Sequence, residues 1–377
     1  MDVSLASDVA PGDEAELAAF VADSAAGRRA LRVIGGGTRL PFSGDGVTLT
    51  TRALRGIVTY EPGELTLIAR TGTPLDEIEA TLAAQGQALA FEPMDHRVLL
   101  GGSGTPTIGG VVAANVCGPR RVQAGAARDH LLGVRFVDGQ GRVIKNGGRV
   151  MKNVTGMDLG KLLAGSFGTL GVLTQVALKT LPVAESRLTL TFPGVSARQA
   201  VEIFCAALGT PCEVSGAAFL NGTAWLRIEG PAGQVAHRRD RLAALLRGRP
   251  VEVLDDAATR GLWRDLRDVR YFADVAGAVW RIVVKPTDAP AVLDALAPLG
   301  GRSSLDWGGG LIWHVGPGGA DAVRSAAASG HATLVRGDPA ADGPVFQPQP
   351  PGVAALSAAM RRTFDPAGIL NPGLMAG

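Results

Sequence analysis

Three glycine-dense segments constrain this chain more than any other feature. The first, Gly35-Gly36-Gly37-Thr38-Arg39, follows the short apolar run Leu31-Arg-Val-Ile34. The second runs from Gly101 to Gly110 (GGSGTPTIGG) and continues through Val111-Val-Ala-Ala-Asn115 to Gly118-Pro-Arg-Arg121. The third holds Gly147, Gly148 and Gly156, then Ala164-Gly-Ser-Phe-Gly-Thr-Leu-Gly-Val172. Stretches with so few side chains cannot supply a core of their own. They must press against another backbone or against a flat or phosphorylated ligand. Successive amides of the first segment can face an anion, with the Thr38 hydroxyl as an extra donor. A tight turn is the plainer reading of the first segment, and a small-residue packing helix that of the second. The second segment contains neither G-x-G-x-x-G nor a Gly-Lys-Ser/Thr ending, so it is neither a dinucleotide fingerprint nor a P-loop.

Composition narrows the function classes. With 377 residues and 46% hydrophobic content, a large core can form, and two domains are expected. Lys plus Arg is 37 against 35 Asp plus Glu, a balance that argues against a dedicated nucleic-acid binder. The 52 glycines and 23 prolines show no G-X-Y period, which excludes a collagen-like chain. Three cysteines, Cys117, Cys205 and Cys212, exclude a disulfide scaffold and are too few for an iron–sulfur cluster held by about four Cys ligands. The acidic N-terminal stretch resembles no signal peptide, and no apolar run is long enough to span a membrane. These features predict a cytoplasmic protein that meets a membrane only indirectly, through partners.

Periodicity predicts a helix over 13–26, strands over 31–34, 46–50, 57–60 and 65–70, and a helix over 74–85. A hairpin is expected over 131–145, a short helix over 158–164 and a strand over 172–181. After Pro182 the character changes. Strand 186–192, helix 196–208 capped by Ser196, and a hairpin turning at Asn221-Gly222 lead to a basic amphipathic helix over 234–247. Strands 279–284 and 311–315 alternate with helices 290–299 and 320–329. That order suits a small open sheet with helices on one face. Residues 337–352 read as a Pro- and Gly-rich linker before a last helix over 353–364.

The three glycine segments, in this order, resemble the vanillyl-alcohol oxidase family, whose FAD-binding domain is of the p-cresol methylhydroxylase type. GGGT, TIGG…AAN…GPRR and GSFGTLGV are its landmarks. The run GRVMKNVTGMDLGKLLAGSFGTLGVLTQVALKTLP is similar to the smaller FAD-binding subunits of bacterial glycolate oxidases. So are Leu262-Trp-Arg-Asp-Leu-Arg267, Tyr271-Phe272, Val279-Trp-Arg281, Leu311-Ile-Trp313 and the terminal FDPAGILNPG. The resemblance spans nearly the whole chain. Met157 departs from it, standing where relatives usually carry Tyr in a GYDL stretch.

The resemblance implies an α+β fold. A two-subdomain FAD-binding domain would occupy 1–183, a smaller α+β cap 184–344, and a C-terminal segment, 345–377, would return to the FAD domain. It places the FAD pyrophosphate against Gly35, Gly36, Gly37, Thr38 and Arg39 and around Gly104, Thr107, Gly109 and Gly110. Ala113, Ala114, Asn115, Gly118, Arg120 and Arg121 would lie near the flavin. Gly168, Thr169, Gly171 and Val172 would line the adenosine or pyrophosphate side, with Asn371 closing the pocket. Members with covalent flavin often attach it through a His in the first loop. That loop has no His here, so non-covalent FAD is implied.

The implied activity is flavin-mediated oxidation of glycolate, or another 2-hydroxy acid, to glyoxylate or its analogue. Electrons would pass to a paralogous FAD subunit and an iron–sulfur subunit of one complex. Two rival roles stay open: an auxiliary FAD electron-transfer or structural subunit without turnover of its own, and a stand-alone flavin-dependent 2-hydroxy acid dehydrogenase. No paired His signals a metal, and none is expected. Arg281 suits a carboxylate by guanidinium geometry, or a structural ion pair. His314 is either substrate-side or a packed strand histidine. Lys152 would face reduced flavin or solvent. The run His237-Arg-Arg-Asp-Arg241 reads as a solvated helix face, with docking of an acidic partner as the sharper alternative.

Overall fold

The computed structural model describes residues 8–39, 46–148, 156–328 and 330–375. Lys152 lies outside them. The N-terminal half builds two layers. Helix Glu14–Ala26 starts where the Asp13 carboxylate accepts from the Glu16 amide, and it buries Leu17 and Val21. Those two side chains pack on the parallel pair Leu31–Ile34 and Val47–Thr50. The C-terminal segment joins this layer: Leu31 N–H donates to the Ile369 carbonyl (2.8 Å), and Leu31 bridges Leu370 in parallel.

The second layer is a five-stranded antiparallel sheet in the order Ile57–Glu61, Thr66–Arg70, Val172–Lys179, Leu131–Val137, Val143–Gly147. Its last hairpin turns on the buried Asp138, whose Oδ1 accepts from the amides of Gln140 (2.9 Å) and Arg142 (3.0 Å). A short Asp side chain that satisfies turn amides is the local reason the chain reverses there.

The cap is an eight-stranded sheet, with all its pairings antiparallel. Its order is Glu252–Leu254, Ser186–Pro193, Thr223–Gly230, Val214–Leu220, Arg302–Asp306, Leu311–Gly316, Ala278–Val283, His331–Arg336. The hairpin at Asn221-Gly222 forms as expected; both residues have positive φ (49° and 77°), as a type I′ turn requires. Helix Ala197–Leu208 opens on a reciprocal cap between Ser196 and Gln199.

The expected small sheet with helices on one face needs correction. Leu188 and Leu190 pack with helices Ala197–Leu208 and Ala232–Leu245. Thr189, on the opposite face, accepts from the Trp263 indole (2.9 Å) of helix Asp256–Arg267. Further along the sheet, Trp280, Ile282 and Ile312 join the cap core. Val279, Leu311, Trp313 and Val315 join the same core as Phe91, Leu99, Val111 and Val112 of the first half. Period-two alternation therefore buries both faces, one under helices such as Ala197–Leu208 and Ala232–Leu245, the other under helix Asp256–Arg267 and against the N-terminal half. The linker region is also more ordered than its composition implies. Pro339–Asp342 is a short helix, and Leu334 N–H donates to the Val345 carbonyl (2.9 Å).

The seam between the halves buries a carboxylic acid. Asp306 accepts from the Trp307 amide (2.7 Å), and burial pushes its pKa up to about 7. A raised folded-state pKa means stability is fully present below the unfolded value near 4 and is lost as pH rises through 7. Asp306→Asn keeps the acceptor and removes the titration. The wild-type protein is expected to lose about 2 kcal/mol relative to this variant between pH 5 and pH 8. Parallel chemical denaturation at the two pH values reads the difference; an equal change of unfolding free energy with pH in both proteins would refute the assignment.

Candidate functional site

A cleft opens where strand Leu31–Ile34 runs into Gly35, enclosing about 930 Å³ with its mouth included. One wall is the loop Gly35–Arg39. The floor is Gly109, Gly110, Ala113 and Ala114 of helix Ile108–Ala113 and its C-cap. The third wall carries Ser166, Phe167, Gly168, Gly171, Val172 and Leu173, and Asn371 and Leu374 close one end. Sequence reasoning missed Arg32, Val33, Ile34, Thr51, Thr71, Ser166, Phe167, Leu173 and Leu374 among the lining residues. Ser166, Phe167 and Leu173 stand in or beside GSFGTLGV, and Arg32, Val33 and Ile34 lead into the first loop; Thr51, Thr71 and Leu374 carry no motif and neighbour the glycines only once the sheets form.

Two glycines owe their identity to other protein segments. An added Cβ at Gly36 would overlap the Thr105 carbonyl oxygen, and one at Gly109 would lie 2.5 Å from the Thr71 Cβ. Gly104 sits behind the loop against Gly36 and Thr38, outside the cleft. Thr107 is buried behind it too, as the N-cap that accepts from the Gly110 amide (3.3 Å). The amides of Ile108 and Gly109 donate to Thr73 and Thr71. The helix amides are therefore already engaged. Among the described residues, no amide from Gly35 to Arg39 donates to a protein acceptor, so this loop supplies the free donors.

Asn371 is a clamp. Its Oδ1 accepts from the Val33 amide (2.7 Å), and its Nδ2 donates to the Phe167 carbonyl (2.8 Å). This ties the strand entering the glycine loop to the turn that forms the third wall. Thr169 stays in that turn, donating to the Ser166 carbonyl (2.7 Å), and does not line the cleft.

A group of cations continues from the cleft into the cap seam. Burial pushes Arg39 down to about 10, and its Nε is buried without a hydrogen-bond partner. Next comes His96, which belongs to none of the sequence motifs. Desolvation, then the charges of Arg39 and Arg281, push it down to about 3. Its Nδ1–H faces the Met94 carbonyl (3.3 Å), which leaves Nε2 as an acceptor. Arg281 has no ion pair or side-chain hydrogen bond among the described residues, and burial holds its pKa below the ordinary value. Its guanidinium lies 5.0 Å from the Trp307 ring centroid, and that of Arg121 4.7 Å. The Trp307 indole donates to the Gly118 carbonyl (3.0 Å), and Arg121 donates to Cys117 Sγ (3.4 Å).

The remaining expected residues fall elsewhere. Asn115 lies under a turn, its Oδ1 accepting from the Arg128 amide (3.0 Å). Arg120 pairs with Glu229 (2.5 Å) and Glu92 (3.6 Å) at the domain seam, away from the cleft. His314 lies in the cap, away from the lining of the cleft. It shares a sheet face with Trp280, hydrogen-bonds Ser303 through Nδ1 (2.9 Å) and is buried in the cap, because strand alternation turns it away from Trp313. Met157 is exposed. Among the described residues, no group of three or more His, Cys, Asp or Glu side chains is placed to hold a metal ion. No helix among them is long and apolar enough to cross a membrane.

These residues fit FAD. An orphaned guanidinium nitrogen and a row of free amides suit a pyrophosphate, and walls of Gly and Ala leave room for a planar ring. The lining contains no His, Cys or Tyr to bond a flavin covalently.

A family model described as an FAD binding domain matches residues 6–147. The glycolate oxidase subunit GlcE of Escherichia coli (strain K12) is 36% identical over 349 residues, 91% of this chain and 92% of that protein. The glycolate oxidase subunit GlcD of Bacillus subtilis (strain 168) is 32% identical over 162 residues, 41% of this chain and 33% of its own. A D-lactate dehydrogenase of Anaerostipes hadrus is 30% identical over 150 residues, 40% and 30% of the two chains. Among solved structures, alkyldihydroxyacetonephosphate synthase in the P212121 crystal form superposes with a TM-score of 0.69. That match covers 97% of this chain and 77% of that one at 17% identity, so it speaks to the fold alone.

Asn371→Ala leaves the Val33 amide and the Phe167 carbonyl without partners and places Ala at positive φ (46°). A loss of about 3 kcal/mol in stability is expected. Flavin should be lost on gel filtration under conditions where the wild type keeps it. Unchanged stability with full flavin retention would show that the clamp does not hold the cleft.

Proposed function

The chain belongs to the p-cresol methylhydroxylase-type FAD-binding family, as a relative of the glycolate oxidase protein GlcE, and from that premise we propose that it carries the FAD of a multisubunit complex oxidising glycolate or a close 2-hydroxy acid to the 2-oxo acid. The observation that carries this reading is Arg281, a desolvated cation without a protein counter-charge, sharing a cationic group with Arg39 of the FAD cleft. A buried guanidinium in that state favours an anionic ligand, and a carboxylate matches its two-pronged geometry. FAD, when bound, supplies the acceptor for a hydride equivalent from the alcohol carbon. The loop Gly35–Arg39 holds the pyrophosphate through its amides and the Arg39 guanidinium. Gly109, Gly110, Ala113 and Ala114 leave the ring face unobstructed. Arg281 binds the substrate carboxylate and so fixes which carbon faces the cofactor. His96 Nε2 takes the hydroxyl proton. Burial lowers its basicity first, then the charge of Arg39 and, to a smaller extent, that of Arg281; a carboxylate on Arg281 removes only that last part.

With three cysteines in the chain, electrons leave through an iron–sulfur partner, and a paralogous FAD subunit completes the complex. The relatives GlcE and GlcD, both named as glycolate oxidase subunits, support a multisubunit complex. Cytoplasmic placement, with peripheral attachment through partners, belongs to the same proposal.

The purified chain, reconstituted with FAD, should show flavin absorption bands that are lost on denaturation and precipitation of the protein. No flavin bands would sink the cofactor assignment. In the intact complex, Arg281→Met should raise KM for glycolate about ten- to a hundredfold, matching a charge-assisted contact of about 2 kcal/mol. His96→Gln should lower kcat with little change in KM. If both variants leave the kinetics of the complex unaltered while the partner flavin protein alone turns over glycolate, this chain has an auxiliary electron-transfer role. Glycolate turnover by the isolated chain with a dye acceptor would refute that auxiliary role.

A further inference from the structure

A second cavity, of about 970 Å³ with its mouth included, lies on the seam between the two halves. It shares no lining residue with the FAD cleft. Six arginines line it: Arg120 from the FAD-side half and Arg187, Arg227, Arg260, Arg264 and Arg267 from the cap. Only two carboxylates do so, Glu92 and Glu229.

The pairing within it is lopsided. Glu229 is shared by Arg120 (2.5 Å), Arg227 (3.1 Å) and Arg187 (3.5 Å). Glu92 is shared by Arg227 (2.8 Å) and Arg120 (3.6 Å). Asp256 and Asp268, outside the lining, take Arg260 (2.5 Å) and Arg267 (2.8 Å). The Arg264 side chain has no ion pair or hydrogen bond among the described residues. Five of the six guanidiniums thus meet four carboxylates in contact, and Arg264, exposed, meets none. The Nε atoms of Arg120 and Arg187 are buried without a hydrogen bond and have carboxylates only at ion-pair distance, Glu92 (3.6 Å) for Arg120 and Glu229 (3.5 Å) and Asp256 (3.6 Å) for Arg187, whose side chain is only 9% exposed. Burying guanidinium donors unsatisfied costs free energy that a bound anion would recover.

Apolar groups line the cavity beside the arginines. Leu89, Leu181, Pro182 and the Trp263 ring are among them, and Arg227 stacks on that ring at 4.7 Å. A partly enclosed cavity lined by cations and by apolar groups selects a compact ligand over an extended one. The net charge of +2 on the whole chain also speaks against a nucleic acid, which would need a broad basic surface. We propose that this seam cavity is a binding site for a small polyanion, a short carbon or phosphate skeleton bearing two or more acidic groups. Such a ligand would touch both halves and fix their relative placement. This goes beyond the reading of the flavin site and does not depend on it.

The test uses the full chain loaded with FAD, at constant ionic strength set with sodium chloride. Citrate and inorganic pyrophosphate are titrated separately, with melting temperature and calorimetric heat as readouts. A saturable rise in melting temperature with at least one of them is expected. Citrate alone would assign a polycarboxylate, pyrophosphate alone a phosphate. Arg264→Gln should weaken that binding at least fivefold, and Arg187→Gln should do so through a second position. Arg241→Gln, on the exposed face of helix Ala232–Leu245, should bind as the wild type does. Flavin absorbance, followed throughout, separates the two cavities. Binding that displaces FAD, binding undiminished in both pocket variants, or no saturable response to either anion would each overturn the proposal.

Discussion

The cleft depends on how the C-terminal motif is held. Asp365 accepts from the amides of Ile369 (3.1 Å) and Leu370 (2.7 Å), folding that motif into a turn. The turn delivers Asn371 to the gap between the strand at Val33 and the turn at Phe167. Among the described residues, neither wall is bonded to the other across this gap except through that one amide. A side chain with both an acceptor and a donor is required, because it must satisfy an N–H on one wall and a C=O on the other. This explains why an Asn is tolerated at positive φ here, where Ala or Asp would lose either the conformation or one bond.

The cap is joined to the cleft by packing rather than by a hinge. Alternate residues of two central cap strands belong to the core of the FAD-side half, and Trp307 adds a hydrogen bond to the Gly118 carbonyl. Arg121 and Arg281 come from different halves and meet over the same indole. A guanidinium over an aromatic face keeps its charge available while gaining attraction from the ring. Trp307 can thus hold two cations close together without supplying a carboxylate that would neutralise them.

Much of this was legible in the sequence where local chemistry decides structure. Asn221-Gly222 announced its hairpin, Ser196 its helix, and the glycine loop its place after Leu31–Ile34. The strand Arg302–Asp306 was not legible, since Arg-Ser-Ser-Leu-Asp has no apolar alternation and is extended because neighbours on both sides pair with it. Helix Asp256–Arg267 was visible as a Trp-bearing motif, but not the sheet face it covers. Several of the glycines line the cleft, for a reason partly different from the one expected. Gly36 and Gly109 are small so that protein segments can approach each other, while the free amides of the first loop face the cleft. Arg120 belongs to an ion network that only the folded seam assembles, and His96 acquires its character from Arg39 and Arg281, which are distant in sequence.

The distribution of buried cations connects these features. A guanidinium removed from water without a counter-charge is unfavourable unless something on the protein or bound to it compensates. At the seam most of the compensation is internal, from Glu92, Glu229, Asp256 and Asp268. Around the cleft, among the described residues, it is largely missing: Arg39 has only the nearby charge of Asp95, and Arg281 only Cys117, whose thiol pKa is pushed up by burial. The anionic cofactor and the anionic substrate of the proposed reaction would supply what the chain omits there. Ligand binding and folding are then linked, since any ligand taken only by the native state stabilises it in proportion to RT ln(1 + [L]/Kd). The same electrostatic deficit that destabilises the empty cleft is therefore what gives it affinity, and restoring a carboxylate beside Arg281 would trade that affinity for stability.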